Sequence, residues 1–285
     1  MTAAVPRAVW WSATALALLV AGALLVPALA PIDPLSIGDV VSTRLLPPGT
    51  VDALGHLHVF GTDALGRDVF TRMMLAGRLS LLVGVLGSLL AAGIGVAVGA
   101  AAGWWGGATD RLAMGLADTV LAVPRLVLLL VAASLWRPGA TAVIAVLVAT
   151  GWMSVARLVR AEVQGARAAP WAEAARALGA RSPRVLWRHV LPNALGPAIV
   201  ATTLGVGNAI LLESGLSFLG LGIQPPRPSW GNMIAGGREL IVIAPWVAVA
   251  PGLALVATVL ACTLLGDALR DRLAGERGAT LGERA

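Results

Sequence analysis

His56 and His58, one residue apart, are a pair whose type and spacing could do chemistry. Imidazole nitrogens bind transition metals, zinc most often. A metal centre needs further ligands, however, and two close histidines in a polar segment are more typical of an ordinary loop. We therefore predict no metal site and no bound cofactor in this chain.

Catalytic motifs are missing from the sequence. A P-loop ATPase needs a Gly-rich loop followed by Gly-Lys-Ser/Thr, and this chain contains no lysine. Gly93-Ile94-Gly95 with Gly99 superficially resembles a dinucleotide-binding motif, but the spacing is wrong and no strand precedes it. His189 has no acid or nucleophile beside it. We do not expect the chain to be an enzyme.

Carboxylates inside apolar runs would indicate ion-coupled transport, because ionisable groups are costly in a membrane and usually functional there. Asp118 lies early in one apolar run, whereas Glu213 and Asp267 follow two others. We find no carboxylate near the centre of a run. An ion-coupled secondary transporter is therefore a less favoured alternative, as is a membrane subunit that assembles without transporting.

The most elaborate polar stretch is PWAEAARALGARSPRVLWRHVLPNALGP, residues 170–197, between two apolar runs. Pro170 is well suited to the first turn of a helix, and Gly179 can end that helix in the left-handed conformation. Ser182-Pro183 predicts a second helix with serine as its N-cap. Pro192 should end or kink that second helix.

The first of these two helices has the features of a docking element. Glu173 and Arg176 are three residues apart and can pair. Small alanines would let the helix lie closely in a groove on another protein. A helix that lies on anionic lipid headgroups is the alternative. The residues expected to share or adjoin one face are Trp171, Ala174, Ala175 and Leu178.

The composition of the chain indicates what kind of protein holds this polar stretch in place. The 285 residues are 58% hydrophobic and 13% charged, whereas about one quarter of a soluble domain is charged. This is the composition of a membrane protein. All 21 basic residues are arginine, and they do not form the clustered basic patch that nucleic-acid binding requires. Cys262 lies in an apolar run and is expected to be a packing residue.

Six apolar runs approach the roughly 20 residues that a bilayer-spanning helix needs. Small residues let helices approach closely in lipid, and the second run is rich in glycine. Its glycines are Gly84, Gly87, Gly93, Gly95 and Gly99. The predicted spans are 9–29, 79–102, 114–136, 140–158, 195–212 and 244–265.

The first span could instead be a cleaved signal peptide, since Ala28-Leu29-Ala30 resembles a signal-peptidase site. Pro31 directly after it disfavours cleavage, so a retained span is preferred. The predicted organisation is an N-terminal transmembrane helix (1–30), an extracytoplasmic segment (31–78), a core membrane domain (79–266) with a cytoplasmic loop (159–194), and a cytoplasmic tail (267–285).

The distribution of the arginines predicts how the chain is oriented in the membrane. Six spans place both termini on one side, and a cytoplasmic N-terminus puts most arginines inside the cell, with Arg111 and Arg125 counted among them. This distribution agrees with the positive-inside rule. Asp63, Arg67 and Asp68 then lie outside, where they form either a solvated loop or a contact with a partner protein. Trp230 is predicted to be an interfacial anchor.

At this point the polar stretch resembles the EAA loop of ABC importer permeases. The matching residues are Glu173-Ala174-Ala175, Gly179 after three more residues, and His189-Val190-Leu191-Pro192 after nine more. In that family the loop forms a coupling helix, which docks into a cleft of a cytoplasmic ATPase subunit and transmits its ATP-driven closure. The general pattern has an aliphatic residue at the position of His189, and RHVLPN is similar to the peptide-importer subgroup.

Residues 61–84, 210–238 and 244–273 also resemble permeases of that subgroup. The resemblance covers most of the chain and is weakest in residues 1–55. It implies an all-α integral membrane protein with the type I ABC importer permease fold, six transmembrane helices and a cytoplasmic coupling-helix loop. It also implies peptides, nickel or related small solutes as cargo, and the bacterial inner membrane as location.

The resemblance implies a set of partners as well. They are a second permease subunit, two cytoplasmic ABC ATPase subunits that bind the ATP, and an extracytoplasmic substrate-binding protein. Asp63, Arg67 and Asp68 are the candidates for contact with an extracytoplasmic partner. The residues that the resemblance assigns to ATPase docking are Glu173, Ala174, Ala175, Leu178, Gly179, Leu191 and Pro192.

Overall fold

The structure, a computed structural model, describes residues 7–282 apart from 38 and 136. Almost all regular structure in these residues is helical, and a short antiparallel hairpin joins β1 to β2. The elements are α1 (Arg7–Leu29), α2 (Val40–Thr43), β1 (Thr50–Val51), β2 (Leu57–His58), α3 (Val69–Trp105), α4 (Gly107–Leu121), α5 (Arg125–Leu135), α6 (Ala140–Arg167), α7 (Pro170–Ala177), α8 (Ser182–Val185), a π-helical turn (Leu186–Val190), α9 (Leu191–Phe218), α10 (Trp230–Gly237), a 3₁₀ turn (Arg238–Leu240) and α11 (Trp246–Gly282).

Helices long and apolar enough to cross a membrane account for most of the predicted spans. In the described part of the chain they are Val9–Leu29, Val69–Trp105, Ala140–Arg167, Ser182–Phe218 and Trp246–Leu273. These five contain most or all of the predicted first, second, fourth, fifth and sixth spans. Helix α11 continues to Gly282 through most of the predicted tail, whereas Arg284 lies outside the described residues.

The predicted third span is not one helix. Helices α4 and α5 take its place, and residues 122–124 separate them. Pro124 has no N–H to donate, and its ring disfavours helical geometry at the preceding residue. The prediction of an unbroken helix was therefore wrong here. The predicted end of this span, Trp136, lies outside the described residues.

The chain divides into two compact units. The first comprises the described parts of Met1–Leu86, Leu130–Ile144 and Val206–Leu264. The second comprises Gly87–Leu129, Ala145–Gly205 and the described part of Leu265–Ala285.

Trp230 belongs to the buried core of the first unit and is 2% exposed. Its indole Nε1 donates to the carbonyl oxygen of Met73 at 3.0 Å, and its backbone N–H donates to Ser80 Oγ at 3.3 Å. The prediction of an interfacial anchor was wrong, because the ring is enclosed. The buried residues of this core are Val69, Met73, Ala76, Ile210, Trp230, Met233, Ala244, Val247, Ala254 and Leu255.

In the second unit α3 and α6 approach closely along a row of glycines. A Cβ on Gly95 would lie 2.6 Å from the carbonyl oxygen of Trp152, and a Cβ on Gly99 would lie 2.4 Å from that of Ala156. The predicted close packing of these two glycines is confirmed. Gly93, by contrast, has no atom within 4 Å of its hypothetical Cβ, so the prediction was wrong for this residue.

Candidate functional site

Helix α7 begins and ends as its sequence predicts. Pro170 is its first residue, and Gly179 has a φ of 86° just after its last turn. The N–H of Gly179 donates to the carbonyl of Arg176 at 2.9 Å, and the N–H of Ala180 donates to that of Ala175 at 3.1 Å. This pair of bonds is a Schellman motif, which satisfies the last carbonyls of a helix. The helix therefore has a defined end.

One face of α7 is buried and the opposite one is free. Ala172 is fully buried, and Ala175 packs partly against the core of the second unit. Glu173 and Ala174 are exposed, and Leu178 is 89% exposed. An exposed leucine beside small residues on a short, fixed helix is a surface that a partner protein can cover.

Polar contacts also hold α7 to α3 and α6. Arg176 Nη2 donates to the carbonyl of Arg167 at 2.8 Å. The predicted ion pair of Arg176 with Glu173 is not formed, because the guanidinium is used on this carbonyl. Arg167 in turn donates to the carbonyl of Trp104 at 2.6 Å and lies over its ring. Trp104 Nε1 donates to Ser182 Oγ at 3.0 Å.

The second half of the stretch is continuous with the next span. Ser182 is the first residue of α8, and Arg181 is its N-cap, so the prediction of serine as the cap was off by one residue. Pro192 neither ends nor breaks the helix, because a π turn over 186–190 precedes it and widens the coil. Asn193 Nδ2 donates to the carbonyl of His189 at 2.6 Å.

The remaining predicted docking residues, Leu191 and Pro192, differ in exposure. Leu191 is 7% exposed and belongs to the core of the second unit, whereas Pro192 is exposed. We therefore expect Leu191 to anchor the stretch rather than to contact a partner. The buried residues of this core are Ala92, Ala100, Trp104, Val155, Val159, Val163, Ala172, Val185, Leu186, Val190, Leu191, Ala194 and Ala198.

A groove of about 500 Å³ opens beside α7. Trp171 forms one side, and residues of α6 and α9 form the others. Small side chains keep its floor open, and Trp171 is itself 41% exposed. The groove lining is Ala161, Glu162, Gly165, Ala166, Trp171, Asn193 and Ala194. Together with the free face of α7 it makes one continuous candidate docking surface.

The predicted extracytoplasmic contacts are largely internal. Asp63 is 8% exposed and pairs with Arg67 at 2.8 Å and with Arg72 at 3.5 Å. Its carboxylate also accepts the backbone N–H of Leu65 and of Arg67. These bonds fix the turn that leads into α3. The residues hold the segment together, and Asp63 has little surface to offer a partner.

His56 and His58 lie in the same polar segment as Asp63. His58 is 2% exposed, and its Nδ1 lies 2.9 Å from Oδ1 of Asp68, which is also buried. His56 Nδ1 lies 3.2 Å from Asp52 Oδ2. The backbone N–H of His56 is the main cause that lowers the pKa of Asp52. Within the described residues, no three His, Cys, Asp or Glu side chains are grouped to hold a metal ion.

Glu213 lies where the sequence did not place it, whereas Arg125 lies within the predicted third span, 114–136. Glu213 lies inside α9 rather than after a span, fully buried, with Oε1 accepting from Ser217 Oγ at 2.7 Å. Arg125 begins α5, and its Nε lies 3.4 Å from Thr150 Oγ1 in the middle of α6. Pro124 was the signal for this placement, since it starts a new helix inside an apolar run.

Comparison with known proteins gives consistent matches. Residues 93–276 match the family model described as "Binding-protein-dependent transport system inner membrane component". A putative peptide permease protein of Brucella suis biovar 1 is 42% identical over 216 residues, which are 75% of this chain and 72% of that protein.

Two further relatives carry more specific names. The dipeptide transport system permease protein of Alkalihalophilus pseudofirmus is 37% identical, over 76% of this chain and 71% of its own length. The glutathione transport system permease protein of Pectobacterium atrosepticum is 38% identical, over 76% of this chain and 72% of its own length.

A solved structure shares the fold. It is the MetNI methionine ABC transporter in an inward-facing conformation. The TM-score is 0.55 at 19% identity, and the match covers 71% of this chain and 96% of that one. Together with the family match, this likeness confirms the predicted all-α ABC importer permease fold, whereas the described residues contain five of the six predicted continuous membrane-spanning helices.

Proposed function

Because the chain belongs to the family of binding-protein-dependent transport system inner membrane components, we propose that it forms half of a peptide translocation pathway and that α7 couples this pathway to a separate ATPase. The chain is a multi-pass inner-membrane permease subunit of an ABC importer. It works with an ATPase and with a substrate-binding protein. The proposal also includes two ATPase subunits that bind the ATP, a second permease subunit, and termini that both lie in the cytoplasm.

The contacts that restrain α7 are the observation that carries the coupling role. ATP-driven closure of the ATPase subunits can move the spans only if the docked element does not bend. Helix α7 is restrained by three features, namely the burial of Ala172, the Schellman motif at Gly179 and the hydrogen bond from Arg176 to the carbonyl of Arg167. A push on its free face is then passed to α3, α6 and α9 instead of being absorbed.

The assignment of docking residues follows from exposure. Glu173, Ala174 and Leu178 lie on the free face of α7, and the groove beside Trp171 lies next to them. We propose that these residues enter a cleft of the ATPase. Ala175 and Leu191 support the surface from below, and Gly179 sets its end.

Peptides are the proposed cargo because the relatives are named as peptide, dipeptide and glutathione permeases. We infer that the binding protein selects among peptides and that this chain provides the route.

The proposal predicts ATP-driven peptide uptake. The chain, its second permease, its ATPases and its binding protein would be reconstituted in vesicles, and entry of a radiolabelled dipeptide would be measured. We expect uptake that requires ATP and the binding protein and that survives collapse of proton and sodium gradients. Uptake that needs an ion gradient but no ATP would instead favour the ion-coupled alternative.

A further inference from the structure

Arg125 is a cation placed at membrane depth. It lies against Thr150, ten residues after the start of α6 at Ala140, and hence about 15 Å along the helix at 1.5 Å per residue. Arg157 follows seven residues later, about 10 Å further on. With one membrane face at Ala140, where the predicted span 140–158 begins, Arg125 lies near the middle of a hydrocarbon layer about 30 Å thick, where a guanidinium is costly and usually functional.

The guanidinium of Arg125 has no carboxylate to neutralise it within the described residues. In the described part of the chain its side chain has one hydrogen bond, at 3.4 Å to the hydroxyl of Thr150. The two carboxylates of α4 are already used, since Asp110 pairs with Arg160 and Asp118 pairs with Arg157. Arginine cannot escape the cost by losing its proton. An anion from elsewhere would complete the site.

The backbone beside Arg125 is irregular and exposed. Residues 122–124 separate α4 from α5, and the side chains of Leu121 and Val123 are 40% and 39% exposed. Irregular backbone does not face lipid at this depth, because its polar groups would lack partners. It is tolerated where protein covers it or where it lines a water-filled cavity. The break therefore borders either a passage or a partner chain.

We propose that Arg125 binds a carboxylate of the transported peptide as it crosses the membrane, an inference that depends on the proposed function. A peptide carries at least one carboxylate, and the middle of a membrane is the place where an unpaired one is most costly. Arginine can bind a carboxylate through two parallel hydrogen bonds. Arg125 is half-buried in this chain.

The test compares three dipeptides in the reconstituted complex. They are dialanine with a free C-terminus, its C-terminal amide, and an amidated alanyl-glutamate whose only carboxylate is a side chain. Each is measured with the wild type, with Arg125→Gln and with Arg125→Lys. The binding protein is the same throughout, so its own preference cancels when the ratio of two peptides is compared between variants.

Arg125→Gln is expected to lower uptake of free dialanine relative to its amide by about tenfold or more, as expected for loss of a charge-assisted hydrogen bond. Arg125→Lys should retain part of this preference. An effect on free dialanine alone identifies the C-terminal carboxylate, and an effect shared by the alanyl-glutamate amide identifies any carboxylate. Arg137→Gln, at the exposed turn before α6, is the matched control and should leave the ratio unchanged.

Equal uptake ratios in the wild type and Arg125→Gln would overturn the inference. In particular, an equal fall for all three peptides would assign Arg125 to an ion pair with a partner chain. The proposed function fails in a different way, namely when the wild-type complex itself takes up none of the peptides with ATP.

Discussion

Gly179→Val is expected to reduce ATP-driven uptake by at least about tenfold while the protein still inserts and assembles with the second permease. Gly179 has a φ of 86°, and the left-handed conformation costs a non-glycine residue roughly 1–2 kcal/mol. A β-branched side chain is among the least tolerated there. The end of α7 should shift, and with it the surface on which we propose that the ATPase docks.

We expect this effect because of the backbone conformation at Gly179 and not because a larger side chain would lack room. No atom lies within 4 Å of a Cβ built on Gly179, so a larger side chain meets no obstacle in the chain itself. Asparagine tolerates the left-handed region better than other non-glycine residues do. Uptake should therefore fall in the order Gly, Asn, Ala, Val, although Asn is larger than Ala. An order that follows side-chain volume would show that Gly179 is needed for close contact with the ATPase and not for its backbone.

The second large effect is expected from Gly99→Val, which should prevent stable folding. The added Cβ would lie 2.4 Å from the carbonyl oxygen of Ala156 and 3.0 Å from its Cα and carbonyl carbon. Backbone atoms of α6 cannot move aside as a side chain can, so the two helices would have to separate. Packing of small residues is a main source of helix association in lipid, and separation would remove it.

Gly93→Val is the matched control for Gly99→Val. Gly93 lies in the same helix, and no atom is within 4 Å of its hypothetical Cβ. Detergent-solubilised protein would be measured by fluorescence-detected gel filtration after heating. We expect Gly99→Val to aggregate or to be absent, and Gly93→Val to resemble the wild type. Equal profiles for the two variants would contradict the close approach of α3 and α6.

The sequence predicted long continuous spans well because their signal is simple. A run such as Val9–Leu29 is uniformly apolar, and only a helix satisfies its backbone in lipid. The prediction of a continuous third helix was wrong because Pro124 lies within an apolar run, and hydropathy does not reveal a helix break there. Arg125 lies at the centre of the predicted span 114–136, so counting it among the cytoplasmic arginines was inconsistent with that span. In the structure it lies beside Thr150.

The candidate docking site was predicted in its parts but not in its packing. Pro170 and Gly179 mark the two ends of α7 through local backbone rules, which a sequence displays directly. Which alanine is buried depends on contacts with distant helices, so Ala172 was not singled out. The π turn before Pro192 also escaped prediction, because proline in a helix usually indicates an end rather than a widened coil.

The polar segment 31–78, predicted to be extracytoplasmic, shows another limit of prediction. Asp63, Arg67 and Asp68 looked equally suited to a loop and to a partner contact, because spacing alone does not reveal burial. The structure pairs Asp63 with Arg67 and joins Asp68 to His58. Side chains that bond within the segment stabilise it, and they are less available to bind a second protein.

Site-specific crosslinking tests the docking role of α7 most directly. A single cysteine would replace Ala174 in a Cys262→Ala background, since Cys262 is buried and small. A cysteine in place of Val41, which is 95% exposed in the predicted extracytoplasmic segment, is the control. A photoactivatable maleimide crosslinker attached at Ala174→Cys should capture the ATPase subunit, and the same crosslinker at Val41→Cys should not. Failure of Ala174→Cys to capture the ATPase, or its labelling by an impermeant maleimide outside intact cells, would contradict the assignment.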